Sequence, residues 1–205
     1  TGLILKTPLK KDQEKFAKAI RTSGELLLNV INEVLDYAKI KSGYLHFANE
    51  PFSLKEQLVG LSDIVNDKLS EKGLKYETEI EENVPDNLRG DASKLLQVLL
   101  NITFNAIKFT SEGKIKIGVE CVEKSADRVK LKFSVSDTGI GMPAEKLPYI
   151  FDRFYQVQDK KKKKYGGTGL GLSITRQIVM LQGGSIQVES EVDKGTTFIF
   201  NLGFD

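Results

Sequence analysis

Residues 114–137 read KIKIGVECVEKSADRVKLKFSVSD. Ile115, Ile117, Val119 and Cys121 take every second position, and Val129, Leu131, Phe133 and Val135 do the same. Each run therefore predicts a strand with one apolar face, Cys121 included in the core. The polar stretch Glu123–Arg128 between them predicts a hairpin. The pattern returns towards the C-terminal end, where Ile186 and Val188, then Phe198, Phe200 and Leu202, predict a second pair of strands. An apolar sheet face must be covered, and the intervening segments supply helices. Ser53 with Glu56 spells a capping box, opening a helix that sets Leu54, Leu58, Leu61, Ile64 and Val65 on one side. Asp91 can cap the next helix, through Leu95, Leu99, Ile102 and Ala106, and a third runs from about Thr168 to Leu181 before Gly183-Gly184. Antiparallel strands with helices on their apolar face predict an α+β class, a two-layer sandwich, over residues 49–205.

The N-terminal part differs. Between Asp12 and Ile40, Phe16, Ile20, Leu27, Val30, Val34 and Tyr37 recur at steps of four and three, with Ser23 in the one polar slot. Ile31, Leu35 and Ala38 widen the stripe. This predicts one helix roughly 40 Å long, ended by Lys41-Ser42-Gly43. A helix of that length with a single apolar stripe calls for a partner, as in a coiled-coil or helical-bundle dimer. Residues 1–48 are thus expected to form a separate helical region.

The bulk composition excludes some classes. With 40% hydrophobic and 28% charged residues and a net charge of +2, nothing favours general nucleic-acid binding. The single cysteine excludes an internal disulfide and fits a reducing, cytoplasmic setting. No apolar run approaches the roughly 20 residues that cross a bilayer, and no signal segment opens the chain. Thr1 is not a methionine, so the sequence is expected to be a piece of a longer protein, with any membrane anchor outside it.

Three motifs carry chemistry. In Asn101-Ile-Thr-Phe-Asn105-Ala-Ile-Lys108-Phe109, the two amides and the ammonium share one helix face. Such a face suits a phosphate chain with a bound cation, an amide oxygen being a fair ligand for Mg²⁺; taken alone, it also fits a solvated face. Asp137-Thr-Gly139-Ile-Gly141 ends a strand, where a carboxylate can accept a hydrogen bond from an exocyclic amine such as that of adenine. Gly166-Gly-Thr168-Gly-Leu-Gly171 leads into a helix N-terminus, which presents unpaired N–H groups to an anion. It is not a Walker loop, since no G-K-[ST] follows.

Order and spacing decide more than any motif alone. N-x-x-x-N-A-x-K-F-T is followed by D-x-G-x-G-M-P, by Ile150-Phe151-Asp-Arg-Phe154-Tyr155-Gln156, by G-G-T-G-L-G-L and by Gly195-Thr-Thr197-Phe198. In this the chain resembles the catalytic, ATP-binding domain of sensor histidine kinases, with their N box, first glycine box, F box and second glycine box in sequence. Asp12–Gly43 is similar to the second helix of their dimerisation and phosphotransfer domain, so the resemblance spans essentially the whole chain. It implies a Bergerat-type ATP-binding fold using ATP and Mg²⁺. It implies that Asn105 coordinates the metal, that Asn101 and Lys108 approach the phosphates, and that Asp137 recognises the adenine amine beside Gly139 and Gly141. Phe154 to Tyr165 would form a mobile lid, with Gly167, Thr168, Gly169, Leu170 and Gly171 hinging it and holding phosphate, and Thr197 would sit near the adenine. The implied partners are a response-regulator receiver domain and a second copy of the chain through the helical region.

Such a kinase needs an acceptor histidine. The sequence holds one histidine, His46, in the short strand-like segment Gly43–Phe47, where it reads as a surface residue. Thr1–Leu9 matches the tail of a first helix and its connection to the second, which places the expected acceptor before Thr1. The lysine run Lys160–Lys164 lies in the expected lid, either solvated or swinging in towards the triphosphate. Two rival readings remain: a water-activating ATPase of the gyrase B and MutL kind, and a non-catalytic scaffold. The first uses a glutamate where this chain has Asn101, and an amide is no general base; the second leaves the intact Asn105, Asp137 and glycine set unexplained.

Overall fold

The computed structural model describes residues 7–156 and 168–205. The chain divides into two compact units, Thr1–Leu45 and His46–Asp205. The first holds α1 (Lys11–Lys41). Gln13 Oε1 accepts the Lys10 N–H at 3.0 Å where the helix starts. At its other end Gly43 turns the chain with φ +73°. Phe16, Ile20, Leu27 and Val34 of the predicted stripe are exposed in this chain.

The second unit holds the remaining elements: β1 (Glu50–Ser53), α2 (Leu54–Lys72), β2 (Lys75–Ile80), β3 (Asn87–Gly90), α3 (Ala92–Phe109), β4 (Lys114–Lys124), β5 (Val129–Asp137), α4 (Gly171–Leu181), β6 (Ser185–Glu191) and β7 (Gly195–Phe204). A 3₁₀ turn covers Ala144–Tyr149. Among the described residues the main sheet has five strands in the order β2-β4-β5-β7-β6, and β1 pairs with β3 in a separate ribbon. Helices α2, α3 and α4 cover the apolar face of the sheet, giving the α+β two-layer arrangement.

Alternation in β5 and β7 puts Leu131, Phe133, Val135, Phe198, Phe200 and Leu202 under the helices. The Phe133 and Phe200 rings stack there at 4.9 Å. Leu58, Leu61 and Val65 of α2, Leu95, Val98, Leu99 and Ile102 of α3, and Ile174 and Ile178 of α4 meet them from above. Burying each such side chain is worth about 1.5–3 kcal/mol, so this layer supplies the main driving force for the fold.

Some expectations change. The sheet is mixed, because β2 runs parallel to β4, with Lys75 opposite Lys114. The KYETEI strand is half-exposed at the sheet edge and lacks the strong apolar alternation that made the others legible. Cys121 is not in the core: a register shift between Cys121 and Glu123 bulges the strand, and its thiol lies 3.8 Å from the Glu123 carbonyl. On α2, Val65 is buried while Ile64 points outward. His46 lies in no strand and is exposed. Helix α4 begins at Gly171, three residues later than expected, because Thr168–Leu170 form its capping turn.

Candidate functional site

Helix α3 is the centre of the site. Its start is fixed by Asp91, whose carboxylate accepts the Lys94 N–H (2.9 Å), the Ser93 hydroxyl (2.6 Å) and the Ala48 N–H (3.0 Å). Burial alone would raise this carboxyl, but those hydrogen bonds hold it below the usual carboxylate range. Further along, the apolar side of α3 packs on the sheet, so Asn101, Asn105 and Lys108 share the outward side and are half-buried.

The three polar groups differ in their freedom. Asn101 Nδ2 donates to Thr175 Oγ1 at 3.2 Å and approaches the Gly171 carbonyl at 3.5 Å. Its amide therefore ties α3 to the N-terminal half of α4, a role that the expected phosphate contact did not include. Lys108 has its ammonium 4.9 Å from the Phe109 ring centre. Burial pulls its pKa below the ordinary lysine value, so an arriving anion would relieve it. Asn105 makes no hydrogen bond to any described residue and leaves its amide oxygen available. Among the described residues no group of three or more His, Cys, Asp or Glu could cage a metal. One amide beside a phosphate site is what Mg²⁺ accepts, since it keeps several waters and relies on phosphate oxygens.

Asp137 ends β5 and is buried beneath the helices. Burial pushes its carboxyl up, and hydrogen bonds from the Gly139 and Thr196 N–H groups offset this only in part. The neighbouring Thr110 hydroxyl adds a weaker pull, and is itself buried without a hydrogen bond of good geometry. Gly139 donates to Asp137 Oδ1 at 2.8 Å, and the following N–H, of Ile140, reaches the Phe109 carbonyl at 3.3 Å. The loop after Asp137 is thereby fastened to the end of α3. Gly141 completes the turn with φ +60°, and a Cβ there would lie 1.9 Å from the Glu191 carbonyl oxygen. A cavity of about 330 Å³ opens beside Asp137, lined by Ser190, Glu191, Lys194, Thr196 and Thr197 among others.

On the other flank, α4 presents its N-terminus. The Leu170 N–H reaches Thr168 Oγ1 (3.2 Å), and the Ser173 hydroxyl donates to the Leu170 carbonyl (2.8 Å). Gly169, with φ +74°, accepts the Phe154 N–H on its carbonyl at 3.0 Å, and any Cβ on it would strike the Phe154 backbone at 2.8 Å. Phe154 itself holds φ +61° with its ring exposed. Tyr165, Gly167, Gly166 and the run Lys160–Lys164 lie outside the described residues. A second cavity, of about 430 Å³, lies between Phe151, Arg153 and α4, away from Asp137.

One expected residue, Thr197, borders the cavity beside Asp137 but turns its hydroxyl away from it. Thr197 faces the sheet side opposite Asp137, where its hydroxyl pairs with Ser136 at 2.9 Å. Its neighbour Thr196 is buried, sits directly across from Asp137 in the β5–β7 register, and meets the Ser190 hydroxyl at 2.9 Å. The correction follows from period two: Phe198 points inward, so Thr196 does and Thr197 does not. Thr110, which also faces the site, had no sequence signal beyond its place in a box, and Thr175 had none.

A family model described as histidine kinase-, DNA gyrase B-, and HSP90-like ATPase matches residues 90–205, more than half of the chain and all of the elements just described from α3 onwards. The chain belongs to that ATPase family. Within it, this member is similar to histidine kinases. It is 38% identical over 205 residues, 100% of its length, to the signal transduction histidine-protein kinase BarA of Escherichia coli, of which it covers 22%. It is also similar to solved structures. The full-length ShkA structure in complex with AMPPNP superposes with a TM-score of 0.81 at 28% identity, covering 98% of this chain and 41% of that one. The histidine kinase ThkA, solved in complex with the response regulator TrrA, gives a TM-score of 0.66 at 25% identity, covering 100% of this chain and 56% of that one. The chain spans 10% to 28% of the length of such curated relatives.

Proposed function

We propose that this chain is the ATP-binding catalytic part of a sensor histidine kinase, transferring the ATP γ-phosphoryl group to a histidine outside these residues and onward to a response-regulator aspartate. The observation that carries the reading against hydrolysis is on α3. The helix ASKLLQVLLNITFNAIKF contains no carboxylate, and Asn101, where a water-activating ATPase has its glutamate, makes a hydrogen bond to Thr175 instead. Without a base for water, the site is suited to hold and orient ATP rather than to split it.

In this reading Asp137 accepts a hydrogen bond from the adenine amine, with Thr196 beside it. Asn105 offers its amide oxygen to Mg²⁺, which when bound neutralises charge on the phosphate oxygens. Lys108 and the N-terminal N–H groups of α4 face the same phosphates. An imidazole nitrogen attacks the γ-phosphorus in line as the bond to the ADP oxygen breaks, and ADP leaves with that electron pair. The names of the relatives support the activity, and the ThkA–TrrA complex supports a receiver-domain partner. Exposed Phe16, Ile20, Leu27 and Val34 support pairing of residues 1–48 with a second copy, and residues 49–205 then form the catalytic domain. No helix among the described residues is long and apolar enough to cross a membrane, and we place the catalytic part in the cytoplasm.

His46, exposed and outside any element, is not the acceptor in this reading. The test is incubation with γ-labelled ATP, alone and with a histidine-bearing helical segment from a relative such as BarA. Acid-labile label is expected on the added segment and not on this chain. Label on this chain that His46→Gln removes would overturn the assignment, and steady phosphate release without transfer would favour the ATPase.

A further inference from the structure

Lys72 is the last residue of α2, yet its ammonium serves another helix. Nζ donates to the carbonyl oxygens of Ile107 (2.5 Å), Lys108 (3.2 Å) and Thr110 (3.0 Å) at the end of α3. The last carbonyls of a helix lack partners within it and form the negative end of its dipole, so a cation there is favoured. Three carbonyls take all three donors of one ammonium. The carbonyl that Lys72 skips, that of Phe109, accepts the Ile140 N–H, and Gly139 crosses it so closely that a Cβ would lie 2.5 Å away. The four carbonyls from 107 to 110 are thus divided between Lys72 and the loop that follows Asp137.

That division has a functional side, because the two halves of the site meet there. Lys108 belongs to the same turn, and Asp137 is two residues from the Gly139 that rests on it. We infer that Lys72 is a positioning residue for the nucleotide site: it fixes the turn through which Lys108 and Asp137 keep their separation. The inference rests on the nucleotide reading of that site. Two simpler roles are distinct from it. A plain helix staple would affect only stability, and a distant positive charge would affect only the phosphates, and would fade with salt.

The test uses the whole 205-residue chain with Lys72→Met, and with Lys72→Arg beside it. Amide hydrogen exchange is read at Thr110 and Ile140 against the β5 amides, and titrations use adenosine and Mg·ADP. Lys72→Met is expected to speed exchange at Thr110 and Ile140 while β5 is unchanged, and to weaken adenosine and Mg·ADP together by about tenfold, the scale on which a charge-assisted hydrogen-bond cluster acts. Lys72→Arg, which also donates to several carbonyls, should recover most of both. Loss of Mg·ADP affinity alone would overturn the inference in favour of a distant charge. A lowered melting temperature with unchanged exchange at Ile140 would reduce Lys72 to a staple. A wild type that binds neither ligand would count against the nucleotide reading, and the exchange result would still decide the junction. Should Lys72→Met fail to fold, Lys72→Gln gives the same readings without the charge.

Discussion

The proposed base side of the site, at Asp137, and its proposed phosphate side, on the outward face of α3, differ in how their polar groups are held. At Asp137 the carboxylate is buried, hydrogen-bonded to backbone N–H, and enclosed by a loop whose backbone presses on Phe109 and Glu191. On α3, Asn105 has no partner among the described residues and Lys108 has only an aromatic neighbour. The first region is finished before a ligand arrives; the second is left incomplete. A flat base rewards a fixed, tightly spaced wall, whereas a flexible phosphate chain with a hydrated cation needs groups that are still free. The two should therefore fail differently on mutation: crowding the backbone of the first acts through folding, whereas trimming a side chain of the second acts through binding alone.

The largest effect should come from closing the Asp137 loop too tightly. Gly141→Ala places a methyl 1.9 Å from the Glu191 carbonyl oxygen in a left-handed turn. It should destabilise the chain by about 3 kcal/mol or more, read by denaturant unfolding. A stable Gly141→Ala protein would break the picture of a rigid base wall.

Asn105→Ala probes the opposite side. An unpartnered amide contributes little to folding, so stability should stay within about 0.5 kcal/mol. Mg·ATP affinity should fall by roughly tenfold or more, as for loss of a cation ligand, while adenosine affinity holds. Calorimetric titration with both ligands checks the split.

The pH dependence separates the two sides by sign. Burial raises Asp137, so its carboxyl protonates more readily in the folded chain than in the unfolded one. That contribution to stability is complete at acid pH and is lost as pH rises through the raised value. Base binding needs the ionised form, so affinity for adenosine should fall on acidification, starting above the ordinary aspartate range. Burial lowers Lys108, so phosphate affinity should begin to fall below the pH at which an ordinary lysine loses its proton. Adenosine and Mg·ADP titrations across pH check both limbs.

The smallest effects distinguish neighbours. Thr196→Val removes a buried hydroxyl that faces Asp137 and Ser190, and should weaken nucleotide binding about fivefold, the scale of one neutral hydrogen bond. Thr197→Val alters only the contact with Ser136 on the opposite face and should leave it unchanged. The reverse order would make the Thr197 hydroxyl, and not that of Thr196, the one that serves the nucleotide.

These contrasts also explain what could be read in the sequence. Strands β4, β5 and β7 were legible because one face is apolar at every second residue, and the C-terminal end of α1 because a basic residue, a serine and a glycine stop it. Strand β2 was hidden, since an edge strand half in water needs few apolar residues. Asn105, Asp137, Gly139, Gly141 and Gly169 lay in recognisable boxes. Thr196 was missed beside Thr197 because the box was read as a string of letters, without carrying the alternation back from Phe198. Lys72 and Thr175 could not be found, because their partners lie on other helices and only the packing of α2 and α4 against α3 brings them near.

The central claim is that a buried carboxylate reads the base at some cost to the fold. Asp137→Asn tests it in one pair of measurements, unfolding and Mg·ADP titration at neutral pH. An amide of the same shape escapes the penalty of a buried charge, so stability should be equal or higher. It offers an N–H where the ligand presents another, so affinity should fall by about 50-fold or more, the scale of a mismatched buried hydrogen bond. Unchanged affinity, or a large loss of stability with affinity retained, would contradict the account.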